Sequence, residues 1–421
     1  MSEELWNYAV YHAQTAADLS EKIRADIQLN REDARTLEQG LLAAVAFPES
    51  KASDAKDALR RRVENDEREA EVEGVRMAGP AEVDLTTQLQ WMFPGQGAQR
   101  VGLLQSLYRR SSFFKAQLEL LLKAASTETG LPLLDALYPE DGATPDNEAR
   151  LTTTSYCQPV MVAVSLALAA WFREAGLRVD GAMGHSLGEF AASACLGGLT
   201  QTEVMAFVAA RGQLMVDSLE GQDAGAMAAI MAPATAVAEA LEEFPDVIVA
   251  NINQPKQTVI SGPTASVELA VKTLRKLRLP GKKLSVSHAF HSPLMRHAAT
   301  ALRPKIDLIE LKSLSAPLHS AILDTSISRG DTLREMFERH AESPVNYIRA
   351  LHHAAASGDA QIFVEMGAGK TLTSFCRYTL GDEATVIQTA STSEDGDAQI
   401  VQAIVQLVSQ GIPLGCGMLS I

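Results

Sequence analysis

The feature that most constrains this chain is the heptapeptide Gly-His-Ser-Leu-Gly-Glu-Phe at residues 184–190. A short apolar segment precedes it, and an alanine-rich run at residues 191–195 follows it. The order strand, Gly-x-Ser-x-Gly, helix is typical of a nucleophile elbow, where glycines permit a sharp turn that exposes the serine hydroxyl. The pattern predicts that Ser186 is a nucleophile and that the Leu187 amide faces a developing oxyanion. The rest of the chain must then supply a base, a second oxyanion donor and a substrate anchor.

Length and composition exclude several classes of function. The chain has 421 residues, which is enough for two or three domains. A formal net charge of −15 argues against a nucleic-acid-binding surface. Four widely separated cysteines predict neither a disulfide framework nor a zinc site. We find no apolar run of membrane-spanning length and no signal peptide, so we predict a cytoplasmic protein without a membrane partner.

The first 86 residues differ in pattern from those that follow. We predict a strand at residues 7–11, helices over residues 15–27 and 31–47, and a charged, solvated helix over residues 52–72. No catalytic constellation is visible in this segment. We interpret it as a small helical or α/β adaptor.

From residue 88 onward, strands and helices alternate, which predicts a mainly parallel sheet covered on both faces. The first strand, residues 88–93, is followed by a glycine-rich loop in which Gln96 is a candidate donor. Between residues 222 and 287 the order becomes β-α-β-β-α-β, that of a ferredoxin-like unit. Because this unit interrupts the larger domain, we predict a cleft between the two.

A serine nucleophile needs a base, and two of the nine histidines are candidates. His291 lies at the exit from the inserted unit, between Phe290 and Pro293, and His288 is the alternative. The residues themselves leave this choice open. His340 lies in a polar helical stretch and is interpreted as a surface residue. No Asp or Glu is placed as a third member, so a main-chain carbonyl or an amide side chain would orient the base.

Arg211 follows three apolar residues, 208–210, on the helix after the elbow. A guanidinium in such surroundings must pair with an anion. A substrate carboxylate would form a bidentate pair with it. The alternative is a structural salt bridge to an acid such as Glu189.

Five motifs together resemble the malonyl-CoA:acyl-carrier-protein acyltransferases, above all the acyltransferase domains of modular type I polyketide synthases. In order, they are FPGQGAQ at 93–99, GHSLGE at 184–189, Arg-Gly at 211–212, HAFHSPLM at 288–295 and MGAG at 366–369. The resemblance covers residues 88–389, and the first 86 residues look like the linker domain that follows a ketosynthase. The fold it implies is α/β, in four parts: a linker domain (1–86), a hydrolase-like large subdomain with a parallel sheet (87–221 and 288–395), an inserted ferredoxin-like small subdomain (222–287), and a C-terminal helix and tail (396–421).

The resemblance also implies a role for each residue that matches the family's motifs. These roles are Ser186 as the acylated nucleophile, His291 as the general base and acid with His288 beside it, the amides of Gln96 and Leu187 as the oxyanion hole, Arg211 as the anchor of the malonyl carboxylate, and Asn346 as the residue that orients the histidine. Leu187, His288 and Phe290 match malonyl-specific members. The Phe290 ring would fill the space that a methyl branch needs, a preference of a few kcal/mol.

No metal or redox cofactor is implied. The implied substrate is malonyl-CoA, and the implied partner is an acyl carrier protein that bears phosphopantetheine, with a ketosynthase neighbour in the intact synthase. Six basic residues with no acid among them mark the inserted unit: Lys272, Arg275, Lys276, Arg278, Lys282 and Lys283. Contact of Arg275 and Lys276 with the carrier or the CoA phosphates is one interpretation, and a solvated helix face is the other.

Other functions share parts of this pattern. A serine hydrolase of the esterase or patatin-like type has the elbow but does not need Arg211. A docking unit with a decayed site would not keep all the motifs. An acyltransferase for a substituted malonyl-CoA is a further alternative.

Overall fold

The computed structural model describes residues 5–67, 69–72, 75–218, 223–359, 361–382, 384–392 and 396–419. The predicted boundaries after residues 221 and 395, and residues 420 and 421 of the predicted tail, lie outside this set. Within it the strands form sheets of four, five and six strands. The α/β class predicted from the alternation is confirmed.

The N-terminal sheet is antiparallel, in the order β1-β2-β4-β3. Its elements are β1 Trp6–Ala13, α1 Ala16–Arg24, α2 Arg31–Thr36, β2 Leu41–Pro48, α3 Ala52–Glu64, β3 Glu69–Val72 and β4 Val75–Glu82. The predicted helix over residues 31–47 is wrong, because its second half is β2, and the predicted helix over residues 52–72 ends at Glu64. β2 is buried on both faces and so lacks the alternation that marks a half-exposed strand.

The large subdomain begins with two strands and seven helices. They are β5 Gln88–Phe93, α4 Gln105–Arg110, α5 Ser112–Thr129, α6 Leu133–Leu137, α7 Pro145–Thr152, α8 Thr154–Glu174, β6 Gly181–Gly184, α9 Gly188–Cys195 and α10 Gln201–Asp217. Contrary to our sequence interpretation, α8 is long and apolar enough to cross a membrane. It is nevertheless buried along most of its length within the fold, as a core helix is.

The inserted subdomain follows, with β7 Ala226–Ile230, α11 Ala234–Ala240, β8 Ile248–Gln254, β9 Gln257–Gly262, α12 Thr264–Lys276 and β10 Gly281–Lys283. Its four strands pair antiparallel in the order β10-β7-β9-β8. This is the arrangement expected of a ferredoxin-like unit.

The chain then returns to the large subdomain and completes its sheet. The remaining elements are α13 Arg296–Asp307, β11 Leu318–Ser320, β12 Thr325–Ile327, α14 Gly330–Arg339, β13 Val345–Asn346, α15 Tyr347–Ala355, β14 Gln361–Ala368, α16 Thr371–Leu380, β15 Thr385–Ala390 and α17 Gly396–Ser409. The large sheet has the order β12-β11-β6-β5-β14-β15 and is parallel except for β12. β13 instead pairs parallel with β8, so it joins the two subdomains through a shared sheet.

Candidate active site

The turn between β6 and α9 places Ser186 just beyond the carboxyl end of β6, a central strand of the large sheet. Ser186 has φ of 49°, a left-handed conformation that is uncommon for a non-glycine residue. A Cβ at Gly184 would overlap the Glu189 main chain, and one at Gly188 would overlap the Phe93 carbonyl. The two glycines of the motif are therefore required by the close approach of the elbow to its own sheet.

Ser186 lies in hydrogen-bond contact with His291. Ser186 Oγ is 2.6 Å from His291 Nε2, and His291 Nδ1 is 2.9 Å from the Ser343 carbonyl oxygen. Because a carbonyl can only accept, Nδ1 carries the proton and Nε2 is free to accept from the serine hydroxyl. Burial, together with the nearby Arg211 charge and His185, lowers the pKa of His291 to about 3. The imidazole is therefore neutral at physiological pH.

Asn346 does not orient this histidine, so the role that the resemblance implies for it is wrong. Its side chain accepts from the Arg349 main-chain N–H, 3.3 Å away, and caps α15. The Ser343 carbonyl takes the place beside Nδ1. A main-chain carbonyl is one of the two possibilities that the lack of a third acid leaves open.

Arg211 is 2% exposed and has no carboxylate within salt-bridge distance among the described residues. Its Nη1 donates to Gln158 Oε1 at 2.6 Å, its Nη2 lies 3.3 Å from His340 Nδ1, and its Cζ lies 5.4 Å from the centre of the Phe190 ring. Burial lowers its pKa to about 9, which still leaves it cationic at neutral pH. Within the described part of the chain, Arg211 is therefore a buried cation whose hydrogen-bond partners are neutral, and it has N–H groups to spare.

The structural salt bridge considered for Arg211 is absent from the described structure. The fully buried Glu189 instead accepts from Ser320 Oγ at 2.8 Å and from the amides of Ala321 and Ile322 at 2.7 and 3.2 Å. Burial raises the pKa of Glu189 to about 8, and these hydrogen bonds act against that shift. Glu189 therefore connects α9 to the end of β11 and is not the partner of Arg211.

The interpretation of His340 as a surface residue is wrong, because its side chain is 1% exposed. Its Nε2 lies 3.0 Å from the Ser186 carbonyl oxygen, and its Nδ1 faces Arg211. The position of His340 in the sequence could have indicated its burial, because it continues the buried stripe of Leu333, Met336 and Phe337 along α14.

Gln158 is a second residue that sequence reasoning missed. It is fully buried on α8, accepts from Arg211, and donates from Nε2 to Gln96 Oε1 at 3.1 Å. An amide inside an otherwise apolar helix was the signal that could have identified it. Through Gln158, the guanidinium is connected to the loop after β5.

A cleft of about 350 Å³ lies between the two subdomains, above Ser186. Its lining includes Gln96, Ser186, Asn253, Leu284, Phe290 and His291. Arg211 contacts two lining residues indirectly. Its hydrogen-bond partner Gln158 contacts Gln96, and its partner His340 contacts Ser186. In the described part of the chain, the main-chain N–H groups of Gln96 and Leu187 donate no hydrogen bond to another residue.

His288 and Phe290 lie close to the dyad. The His288 ring is 5.4 Å from the Phe290 ring, and its Nδ1 is 3.1 Å from Thr154 Oγ1. Burial, with a smaller effect of the Arg211 charge, lowers the pKa of His288. Of the two candidate bases, His291 and not His288 contacts the Ser186 hydroxyl.

Residues 90–407 match the family model described as the acyl transferase domain. The chain belongs to this acyltransferase family. It is 31% identical over 298 residues to the malonyl CoA-acyl carrier protein transacylase of Bacillus subtilis, a match that covers 68% of this chain and 88% of that protein. The match to the phenolphthiocerol synthesis polyketide synthase of Mycobacterium marinum is 30% identical over 324 residues, covering 76% of this chain but only 15% of that much longer protein.

The fold of this acyltransferase is that of solved acyltransferase domains. The acyltransferase domain from the second module of the salinomycin polyketide synthase superposes with a TM-score of 0.77 at 27% identity, over 96% of this chain and 93% of that one. The chain is thus an acyltransferase with the fold predicted from its motifs. Among its described residues, no group of three or more His, Cys, Asp or Glu side chains is placed to hold a metal ion.

The basic cluster of this acyltransferase lies on α12, on β10 and on the turn between them in the small subdomain. Lys283 pairs with Glu268 at 3.0 Å, and Arg275 donates to the Gly281 carbonyl. The other four members, Lys272, Lys276, Arg278 and Lys282, are exposed and have no ion pair among the described residues. β10 runs directly into Leu284 and Val286, which line the cleft, so the cluster lies beside the cleft.

Proposed function

We propose that this acyltransferase moves a malonyl group from malonyl-CoA to the phosphopantetheine thiol of an acyl carrier protein in polyketide biosynthesis. The observation that carries the proposal is the environment of Arg211. Its guanidinium is buried, has the neutral partners Gln158 and His340, and is linked to Ser186 by the His340 imidazole. A buried guanidinium left without a carboxylate suits an acyl group that brings its own. A serine hydrolase with the same elbow has no need of this charge.

The first half of the reaction would acylate Ser186. His291 Nε2 takes the hydroxyl proton as Oγ attacks the thioester carbonyl, and the amides of Gln96 and Leu187 bind the oxyanion. When the carbon–sulfur bond breaks, His291 returns the proton to the CoA thiolate. The products are a malonyl-serine ester and free CoA.

The second half would run through the same groups in reverse. The phosphopantetheine thiol gives its proton to His291 and attacks the ester carbonyl. The carbon–oxygen bond to Ser186 breaks, and Oγ regains the proton. Arg211 would hold the malonyl carboxylate through both halves, which keeps the ester in one position.

We propose that the choice of extender depends on Phe290, Leu187 and His288. The Phe290 ring lines the cleft together with His291 and Ser186, and the proposal places the acyl group against this ring. A methyl branch on the α-carbon would meet this ring, at a cost of roughly 1–3 kcal/mol. We therefore propose malonyl over methylmalonyl as the preferred unit.

Intact-protein mass spectrometry tests the proposal. Wild-type protein mixed with equal malonyl-CoA and methylmalonyl-CoA should gain the mass of one malonyl group, in excess over methylmalonyl by about tenfold or more. Ser186→Ala should gain neither, and a change at an exposed serine, Ser313→Ala, should behave as wild type. A malonyl adduct that persists in Ser186→Ala would place the acyl group elsewhere.

For the basic cluster, we propose contact with the acidic carrier or the CoA phosphates. The double variant Arg275→Glu with Lys276→Glu should raise the KM for the carrier about fivefold at low salt, because opposite charges steer the encounter. High salt should remove most of the difference. The matched control is Arg109→Glu with Lys123→Glu, the same charge change on exposed positions of α4 and α5. An equal rise in KM for both pairs would refute a specific contact.

The setting of the reaction is also proposed. The resemblance predicts a ketosynthase neighbour in an intact synthase. The composition predicts a cytoplasmic location. Both stay predictions. No metal or redox cofactor enters either half of the proposed reaction.

A further inference from the structure

The His340 imidazole touches both the substrate anchor and the nucleophile. Its Nδ1 lies 3.3 Å from Arg211 Nη2, and its Nε2 lies 3.0 Å from the Ser186 carbonyl oxygen. We propose that His340 is a positioning residue with two separable roles: its Nδ1 holds Arg211 in place for the acyl carboxylate, and its Nε2 holds Ser186 in place for attack. This inference rests on the proposed function, in which a carboxylate binds Arg211.

The two partners of His340 fix its tautomer. A guanidinium can only donate, so Nδ1 must accept from Arg211. A carbonyl can only accept, so Nε2 must carry the proton and donate to Ser186. Burial and the charge of Arg211 lower the pKa of His340, which keeps the ring in this neutral form. The ring therefore has one donor and one acceptor, each committed to a different part of the site.

The position of the ring is fixed by packing. Its centre lies 4.2 Å from the Phe190 ring and 5.8 Å from the His291 ring. It follows α14, whose buried stripe anchors it in the core. The ring thus has little freedom to move independently of Arg211 or Ser186.

The contact to Ser186 falls on a strained residue. The left-handed backbone of Ser186 persists only because surrounding groups hold it. The ring Nε2–H of His340, which donates to the Ser186 carbonyl, is one of these groups. The residues after His340 also hold the base: the Ala341 carbonyl accepts from the His291 main-chain N–H at 3.1 Å, and the Ser343 carbonyl from Nδ1. One short segment therefore contacts the anchor, the nucleophile and the base.

Two substitutions at His340 each remove one of its two hydrogen bonds. An asparagine places its amide oxygen near the position of Nδ1, so His340→Asn keeps an acceptor for Arg211 and loses the donor to Ser186. A glutamine places its amide nitrogen near the position of Nε2, so His340→Gln keeps the donor and loses the acceptor. His352→Asn and His352→Gln, at an exposed position on α15, are the matched controls.

The experiment measures single-turnover acylation by malonyl-CoA and by acetyl-CoA, which lacks the carboxylate, with the melting temperature of each variant. His340→Gln should lower malonyl acylation about tenfold relative to acetyl, because a hydrogen bond to a charged group is lost. His340→Asn should slow both acyl groups by about the same factor and leave their ratio as in wild type. The His352 variants should match wild type in both rates.

Two outcomes would overturn this division of roles between Nδ1 and Nε2. One is a malonyl-to-acetyl ratio that is the same in both His340 variants, whether the rates fall together or stay within twofold of wild type. The other is the reverse pattern, with the ratio changed in His340→Asn alone. If the wild-type protein itself loads no malonyl group on Ser186, the proposed function fails; if it loads malonyl but the ratio does not split, only the role of His340 fails.

Discussion

Replacing Arg211 with alanine is expected to lower kcat/KM for malonyl-CoA by about a hundredfold or more. The loss of one member of a buried, hydrogen-bonded charge pair typically costs about 2–5 kcal/mol, and each 1.4 kcal/mol is about tenfold. Acetyl-CoA brings no carboxylate, so its acylation rate should stay level or rise. Steady-state kinetics with both thioesters measure the ratio directly.

The control for this variant must also remove a buried guanidinium. Arg110 is 8% exposed and donates to the Trp6 carbonyl and the Asn7 side chain, both in the N-terminal domain. Arg110→Ala should leave the malonyl-to-acetyl ratio as in wild type, even if its melting temperature falls. An unchanged ratio in Arg211→Ala would show that Arg211 is not the anchor.

Replacing His291 with alanine is expected to slow acylation by about 10²- to 10⁴-fold, the usual contribution of a positioned general base. His352→Ala, an exposed histidine change, should have little effect. His288→Ala should cost much less than His291→Ala, because Ser186 Oγ contacts His291 Nε2. Equal losses at His288 and His291 would contradict the dyad.

The pH dependence gives a second test of His291. Its pKa is lowered from 6.5 to about 3, so the neutral, proton-accepting form persists as pH falls through 6.5. For wild type, kcat/KM should therefore change little between pH 7 and pH 5.5, whereas a base with an ordinary pKa would lose about tenfold. Arg211→Ala removes one cause of the lowered His291 pKa, so the fall of kcat/KM on the acid side should occur at higher pH than in wild type. A wild-type limb near 6.5 would contradict the buried, neutral base.

The Gly-x-Ser-x-Gly motif allowed the turn that carries Ser186 to be predicted, because the motif is tied to local backbone geometry. The elbow needs glycines beside a left-handed serine, and the structure has both. The ferredoxin-like order could be predicted because alternation and turns mark its strands. β2 could not, because a strand buried on both faces shows no period and its alanines favour a helix.

The contacts that were missed are long-range. Nothing local in Ser343 marks its carbonyl as the partner of His291, 52 residues away in the chain. His340 and Gln158 each carry a local signal, a polar residue on a buried helical stripe, but their partners are fixed only by the packing of α8, α10 and α14. The role implied for Asn346 rests on a motif alone, and its side chain instead accepts from the backbone N–H of Arg349, three residues along the chain.

The central claim is that Ser186 carries a malonyl group between two thiols, and one measurement tests it most directly. Wild-type protein is loaded with malonyl-CoA, freed of excess thioester, and divided between buffer and a phosphopantetheine-bearing carrier protein, with both samples followed by intact mass. We predict a malonyl-enzyme that persists in buffer and passes its malonyl group to the carrier thiol when the carrier is added. Rapid release of free malonate in buffer, with no gain of mass on the carrier, would contradict the account and identify a hydrolase.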